Sequence, residues 1–239
     1  MKRPLGPRGD HLVTARERPI LFSAPMVRAL LEGKKTQTRR AVKANQGIHC
    51  PNEMWPDALR DVIEWREQNG RWFGLMGYRT LADVVCPYGA PGDRLWVREA
   101  WWQDKRDPTV AVMDADGACR YSPNDPPARS RPEHVADLDA LRRNAFWRKR
   151  PSIHMPRWAS RITLEITDVR VQRLQAIGEA DSYAEGIQPV CIVGCSNSEA
   201  DRLAEQLARS AFRNLWESIN GSDSWAANPW VWAITFRRL

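Results

Sequence analysis

The alternation of apolar and polar residues in Arg161-Ile162-Thr163-Leu164-Glu165-Ile166-Thr167-Asp168-Val169 constrains this chain more than any other stretch. A period of two held this long fits a strand with one face in a core and the other on a polar side. Such a strand needs sheet partners, and the sequence supplies them far away in the chain. Pro19-Ile20-Leu21-Phe22 is a short apolar run suited to a strand. Arg94 to Trp102, entered through the turn Pro91-Gly92-Asp93, reads as one strand, with Leu95, Val97 and Trp101 facing one way and Trp96 and Arg98 the other. Val231 to Phe236 reads as a closing strand. The polar turn Gln68-Asn69-Gly70, between apolar-containing runs at 61–65 and 71–75, is a hairpin signal.

Helical patterns lie between these strands. Ser23 is placed to cap a helix with Pro25 in its first turn and Met26, Leu30 and Leu31 on its apolar face, and Gly33 stops it. Leu174 to Ala184 reads as a short helix ended by Gly186. Residues 199–219 form a long one, with Leu203, Leu207, Phe212, Leu215, Trp216 and Ile219 on one side. Scattered strands with helices between them predict an α+β fold rather than a regular βαβ array. One domain is expected over 18–239, after a basic leader at 1–17 and with two long inserts at about 43–91 and 103–160.

Lys plus Arg exceed Asp plus Glu by 36 to 29, a formal charge of +7 that permits a polyanionic partner. From Leu141 to Arg161 there is no acid, while Arg142, Arg143, Arg148, Lys149, Arg150, Arg157 and Arg161 surround Phe146, Trp147 and Trp158. Cations interleaved with aromatic rings are what a single-stranded nucleic-acid surface needs. The competing reading is a solvated loop with its aromatics tucked home. The five cysteines (Cys50, Cys86, Cys119, Cys191 and Cys195) are scattered, no secretory segment is expected, and no apolar run is long enough to span a membrane. A reducing cytoplasm is the expected location. His49, Cys50 and Cys86 with one further cysteine are a weak zinc pattern, and neither a metal nor a cofactor is expected.

The run Gly33-Lys34-Lys35-Thr36-Gln37-Thr38-Arg39-Arg40 resembles the Gly-x-Lys-x-x-Thr-x-Arg motif of the ASCH superfamily. Pro91 to Glu99 resembles the turn and strand that follow in that family, and Leu174 to Ile187 resembles its short helix leading to an acidic residue. The closing segment from Trp230 to Arg237 is similar to its last strand. The larger Trp-rich members that this chain resembles are commonly carried by bacteriophages and prophages.

The resemblance implies a PUA-like β-barrel with flanking helices, an architecture shared with RNA-binding domains. It also implies the site of small bacterial amidohydrolases that deacetylate N4-acetylcytidine. There Lys35, Thr38 and Glu185 would be catalytic, with Thr38 as nucleophile. Gly33, Arg40, Arg98 and Glu99 would hold substrate, and Arg39 would join the basic run at a nucleic-acid surface. Chemically, a threonine hydroxyl needs a neighbour to take its proton, and Lys35 could do so only with a depressed pKa. Glu185 could relay the proton, and an arginine could meet the oxyanion. Three readings stand: a module binding nucleic acid, a nucleotide or a modified base; a metal-independent amidohydrolase of an acylated nucleoside; and a protein-interaction factor contacting its partner through Trp-rich inserts.

Overall fold

The computed structural model describes residues 15–43, 62–76, 79–116, 118–121, 139, 143–188 and 197–239. Its centre is the antiparallel pair of β11 (Thr163–Arg173) and β12 (Trp230–Arg238). The alternating run thus forms the middle of the largest sheet, whose order is β1 (Glu17–Leu21), β6 (Arg94–Arg98), β11, β12 and β2 (Gln37–Ala41). Along β12 the pattern sorts two cores. Trp230, Trp232, Ile234 and Phe236 face the main one, with Ile20, Phe22, Leu95 and Leu164, while Val231 turns to a second cluster with Leu174, Phe212, Trp216 and Trp225.

Helix α1 (Ala24–Leu31) follows β1 and buries Val27 and Leu30. Ser23 stands at its N-cap and Pro25 in its first turn, although the serine side chain makes no capping bond. Gly33, at φ +73°, takes the left-handed conformation that ends the helix. On the other face, α2 (Glu179–Ala184) and α3 (Asn197–Asn220) lie against β2 and the second cluster. No helix among the described residues is long and apolar enough to cross a membrane.

Two smaller sheets come from the segments expected as inserts. The hairpin β3 (Glu64–Gln68) and β4 (Arg71–Met76), with β5 (Arg79–Val84), forms a three-stranded sheet. Its turn is Asn69-Gly70, both at positive φ, and its first strand runs three residues later than the sequence suggests. The four-stranded sheet has the order β10 (Trp147–Arg150), β7 (Trp101–Asp104), β8 (Val110–Met113) and β9 (Cys119–Tyr121). The single strand expected from Arg94 to Trp102 therefore breaks at Glu99-Ala100 and serves two sheets.

The expected PUA-like barrel does not form: the fold is mixed α+β with three open sheets. The edges β1 and β2 are joined by a side chain, Arg40 Nη2 donating to Leu21 O, and not by a backbone ladder. Closure of a barrel requires that ladder. Pro19 in β1 also lacks the N–H a neighbouring strand would use.

Candidate functional site

The motif occupies the step from α1 into edge strand β2, where extended backbone sends alternate side chains to opposite sides. Gln37 and Arg39 point to α2, and Thr38 and Arg40 point toward α1 and Phe22. A backbone bridge pairs Lys35 with Glu185, the residue just after α2, and Thr36 N donates to Ala184 O at 2.8 Å. Residues 150 positions apart in sequence are thereby fixed side by side.

The Lys35 ammonium is fully buried and donates to Glu185 Oε2 at 2.7 Å and to Glu185 O at 2.8 Å. Arg39 Nη1 reaches Glu185 Oε1 at 3.2 Å and Gln37 Oε1 at 2.6 Å, and its Nη2 reaches Asp181 Oδ2 at 2.6 Å. Asp181 also accepts from Gln37 and from Arg170 Nη2. Asp181 and Glu185 lie four residues apart, so one helical turn presents both carboxylates to the same strand.

Burial pushes the Lys35 ammonium below its ordinary pKa, against the opposing pull of Glu185. Desolvation also lowers Arg40, which stacks 5.3 Å from the Phe22 ring. Burial alone would raise Asp181, but Arg39 and Arg170 outweigh it and hold its carboxyl low. Lys35 and Arg39 pair with Glu185, Arg39 and Arg170 pair with Asp181, and the buried Arg40 feels the Glu185 charge without pairing to it, so basic side chains outnumber the two carboxylates.

A cavity of about 40 Å³ adjoins this centre, lined by Met26, Thr38, Arg39, Arg40 and Glu185 and covered by Phe212, Leu215, Trp216, Ile219 and Asn220 of α3. That volume suits a single water, at about 30 Å³, and not a nucleobase. Three donors of its lining residues, Arg39 Nε, Arg40 Nε and Trp216 Nε1, are buried with no hydrogen-bond acceptor. Thr38 lines the same cavity as Glu185, yet no hydrogen bond joins its hydroxyl to Lys35 among the described residues.

The other candidates lie elsewhere. Gly33 lines a separate cleft of about 400 Å³ with Leu31, Lys35 and Thr36. Arg98, at the end of β6, stacks over Trp96 at 4.5 Å. Glu99 is buried in a bidentate pair with Arg161, at 2.9 and 3.0 Å, which ties the large sheet to the four-stranded one through Asp116. Burial raises the Glu99 carboxyl above its ordinary range despite Arg161. Among the described residues neither Arg98 nor Glu99 is hydrogen-bonded or ion-paired to Lys35 or Thr38. Arg39, expected on a nucleic-acid surface, is instead buried inside the centre.

Much of the basic run is occupied internally. Lys149 pairs with Asp114 at 2.9 Å, Arg157 with Glu17 at 2.9 Å, and Arg150 with Gln103 at 3.0 Å. Arg143 and Arg148 are exposed, Trp147 and Trp158 are half-buried, and Arg142 lies outside the described residues. No described tryptophan is exposed, so the rings do not build the bare patch that the protein-interaction reading requires. Burial pushes the Cys86 thiol up to about 11, which keeps it protonated and unreactive. Among the described residues no group of three or more His, Cys, Asp or Glu could hold a metal ion, and His49, Cys50, Cys191 and Cys195 lie outside them.

Sequence reasoning missed Gln37, Asp181, Arg170 and Trp216. The i, i+4 spacing of Asp181 and Glu185 was a usable signal. Nothing local marked Trp216 as the roof of a cavity beside a strand so distant in sequence. No protein-family model, no curated protein and no solved structure matches this chain.

Proposed function

We propose that this protein binds a nucleobase, nucleoside or nucleotide, modified bases included, at the Thr38–Glu185 cavity, as an ASCH-type chain in the cytoplasm. The observation that carries the reading is the surplus of buried donors: Arg39 Nε, Arg40 Nε and Trp216 Nε1 have no acceptor in the protein. Each such group costs about 1–3 kcal/mol when left unpaired, so a ligand rich in carbonyl or ring-nitrogen acceptors is favoured there. Entry requires the C-terminal half of α3 to shift, because the covered cavity is smaller than a base. The exposed Arg148 supplies an adjunct phosphate contact if the base belongs to a single strand.

Equilibrium dialysis with cytidine and N4-acetylcytidine tests the proposal, using wild type beside Trp216→Phe, which keeps an aromatic ring and removes one donor. The expected result is saturable binding of at least one probe, weakened about 3- to 10-fold by the variant, the worth of one hydrogen bond. Absence of binding, or identical binding by the variant, would refute it.

A second reading, amide hydrolysis of an acylated nucleoside, is favoured by the lowered Lys35 pKa and the Lys35–Glu185 contact. It requires the opened site to bring Lys35 or a water within reach of the Thr38 hydroxyl. Release of cytidine and acetate from N4-acetylcytidine, abolished by Thr38→Ala and by Lys35→Ala, is its test. No turnover by folded wild type would leave the binding reading alone.

A further inference from the structure

We propose that the outer edge of β11, from Asp168 to Gln172, docks an extended peptide of a partner protein by strand addition, with a lysine or arginine of the peptide facing Glu67. A cleft of about 550 Å³ opens along this edge, lined by Asp168, Val169 and Arg170 of β11 and by Glu67, Gly70 and Trp72 of the hairpin. It is separate from the Thr38 cavity, and the backbone pairing of the main sheet carries the argument.

Strand β11 has two neighbours at its start and one afterwards. Its pairing with β6 covers only Thr163–Glu165, and Ile166 N to Asp93 O and Gly92 N to Ile166 O, both 2.9 Å, close that side. The register with β12 then shifts between Ile166 and Asp168 and continues to Arg173. Which groups stay open follows from β12. Phe236 N donates to Thr36 O and Val42 N to Trp230 O, so the even-numbered residues of β12 bond toward β2. Thr235, Ala233 and Val231 therefore bond β11, where their register partners are Asp168, Arg170 and Gln172. Val169 and Val171, between those partners, turn their N–H and C=O to the open side. Among the described residues nothing hydrogen-bonds to those four groups. The other outer edges of this sheet are blunted. Pro19 in β1 has no N–H and Leu21 O is taken by Arg40, while β2 is entered through the Lys35–Glu185 bridge.

The hairpin decides which peptide fits. Its inner face packs on the side of β12 that carries Trp232, with the Trp72 and Trp232 ring centroids 6.1 Å apart. Val169 and Val171 pair with Ile234 and Trp232, so they lie on that same side. Peptide residues laid opposite them point under the hairpin, toward Trp72 and Glu67, which pair across β3 and β4 and share a face. Trp72 is half-buried against the sheet, whereas Glu67 is exposed, so the hairpin overhangs the edge. Packed sheets lie about 10 Å apart, a gap that a long lysine or arginine side chain can reach across with its stem along the indole. The charge is complementary. Glu67 Oε1 accepts from Gly70 N at 2.6 Å, and Oε2 has no partner among the described residues. The neighbouring cations are taken: Arg66 by Glu64, Arg71 by Asp83, and Arg170 by Asp168 and Asp181. Gly89, Ala90 and Pro91 wall the cleft with little side chain, which leaves room for a strand.

Titration of the 15N-labelled full chain with the capped peptide Thr-Lys-Thr-Val-Thr tests this, because an extended chain puts its lysine and valine on one side. The expected result is saturable binding in which the Val169 and Val171 amides exchange with solvent about tenfold more slowly, while the Arg170 amide, already bonded to β12, keeps its rate. The peptide with glutamine for lysine, and Glu67→Gln with the original peptide, should each bind about 2- to 5-fold more weakly, as for an exposed ion pair. Glu64→Gln, on the same strand but outside the cleft, should bind like wild type. Glu67 is exposed, and the carbonyl oxygen of the substituted amide can still accept from Gly70 N. The Glu67→Gln variant should therefore fold, with an unchanged unfolding temperature as the check. The proposal is overturned if millimolar peptide does not bind, if the lysine and glutamine peptides bind equally, or if Glu67→Gln has no effect. It is also overturned if the Val169 and Val171 amides are already protected in the free protein, as a second copy paired on this edge would make them.

Discussion

Removing the Glu185 charge should destabilise this protein more than removing its partner Lys35. Glu185 serves two buried cations, with Lys35 Nζ at 2.7 Å and Arg39 Nη1 at 3.2 Å. At an effective dielectric constant of about 20, these contacts correspond to about 6 and about 5 kcal/mol of attraction. Glu185→Gln keeps the shape but leaves the Lys35 ammonium without a countercharge. The folded variant can shed the Lys35 proton instead, which caps the penalty. From an ordinary value of 10.5, neutralising a lysine at pH 7 costs about 5 kcal/mol at about 1.4 kcal/mol per pH unit. The expected loss is therefore about 3–5 kcal/mol, as found when one partner of a buried pair is removed. Lys35→Met leaves Glu185 with Arg39, and Arg39 with Asp181, so no charge is stranded and the loss should be about 1–2 kcal/mol smaller.

The assay is urea unfolding of both variants, followed by tryptophan fluorescence at pH 7 and pH 9. The pH dependence has a definite sign. A lysine whose folded pKa lies below its unfolded value leaves the unfolded chain holding more protons between the two values. Stability then rises with pH across that window. The Glu185→Gln deficit should accordingly shrink from pH 7 to pH 9. A larger loss in Lys35→Met than in Glu185→Gln, or a deficit that grows with pH, would refute the reasoning.

Gly186 stands at φ +96°, and a Cβ there would meet Ala29 Cβ at 3.2 Å and Lys35 Cβ at 3.4 Å. Thermal unfolding should show Gly186→Ala losing about 1–3 kcal/mol, whereas Gly178→Ala, with open space around it, should lose under about 1 kcal/mol. Asp93 gathers the Arg16 and Ala90 amides and the Arg18 guanidinium, which together outweigh the upward push of its burial and lower its pKa. Its stabilisation is present above the unfolded value of 3.8 and is lost as pH falls through the folded value, so Asp93→Asn should cost about 1–2 kcal/mol at pH 7 and less in acid. If single-stranded RNA binds, Arg148→Ala should reduce the slope of log affinity against log salt by about 0.7, while Lys149→Ala, whose ammonium is held by Asp114, should change it less.

The sequence was most legible where one residue pattern answers to one local rule. The alternation at 161–169 became the centre of the main sheet, Gly33 ended α1 at positive φ, and Asn69-Gly70 formed the hairpin turn. It was least legible where distant segments decide the outcome. Leu95, Trp96 and Val97 are all buried, so alternation could not mark the break at Glu99, which the pairing with Arg161 explains. The acid-free run at 142–161 looked like free charge because its partners Glu17, Gln103 and Asp114 lie outside it. The barrel did not form because the edge strands β1 and β2 share no backbone ladder, a pairing that a short motif does not encode. In the site, the candidates Lys35 and Glu185 are hydrogen-bonded, while the Thr38 hydroxyl makes no hydrogen bond to Lys35 among the described residues.

The most direct test of the central claim follows the tryptophan indole N–H resonances of the 15N-labelled protein during titration with N4-acetylcytidine, with Trp216→Phe used to assign the Trp216 signal. The account predicts a saturable shift of the Trp216 resonance as its unpaired N–H gains an acceptor. A Trp216 resonance that stays fixed while the probe reaches millimolar excess, or moves only together with all the others, would contradict it.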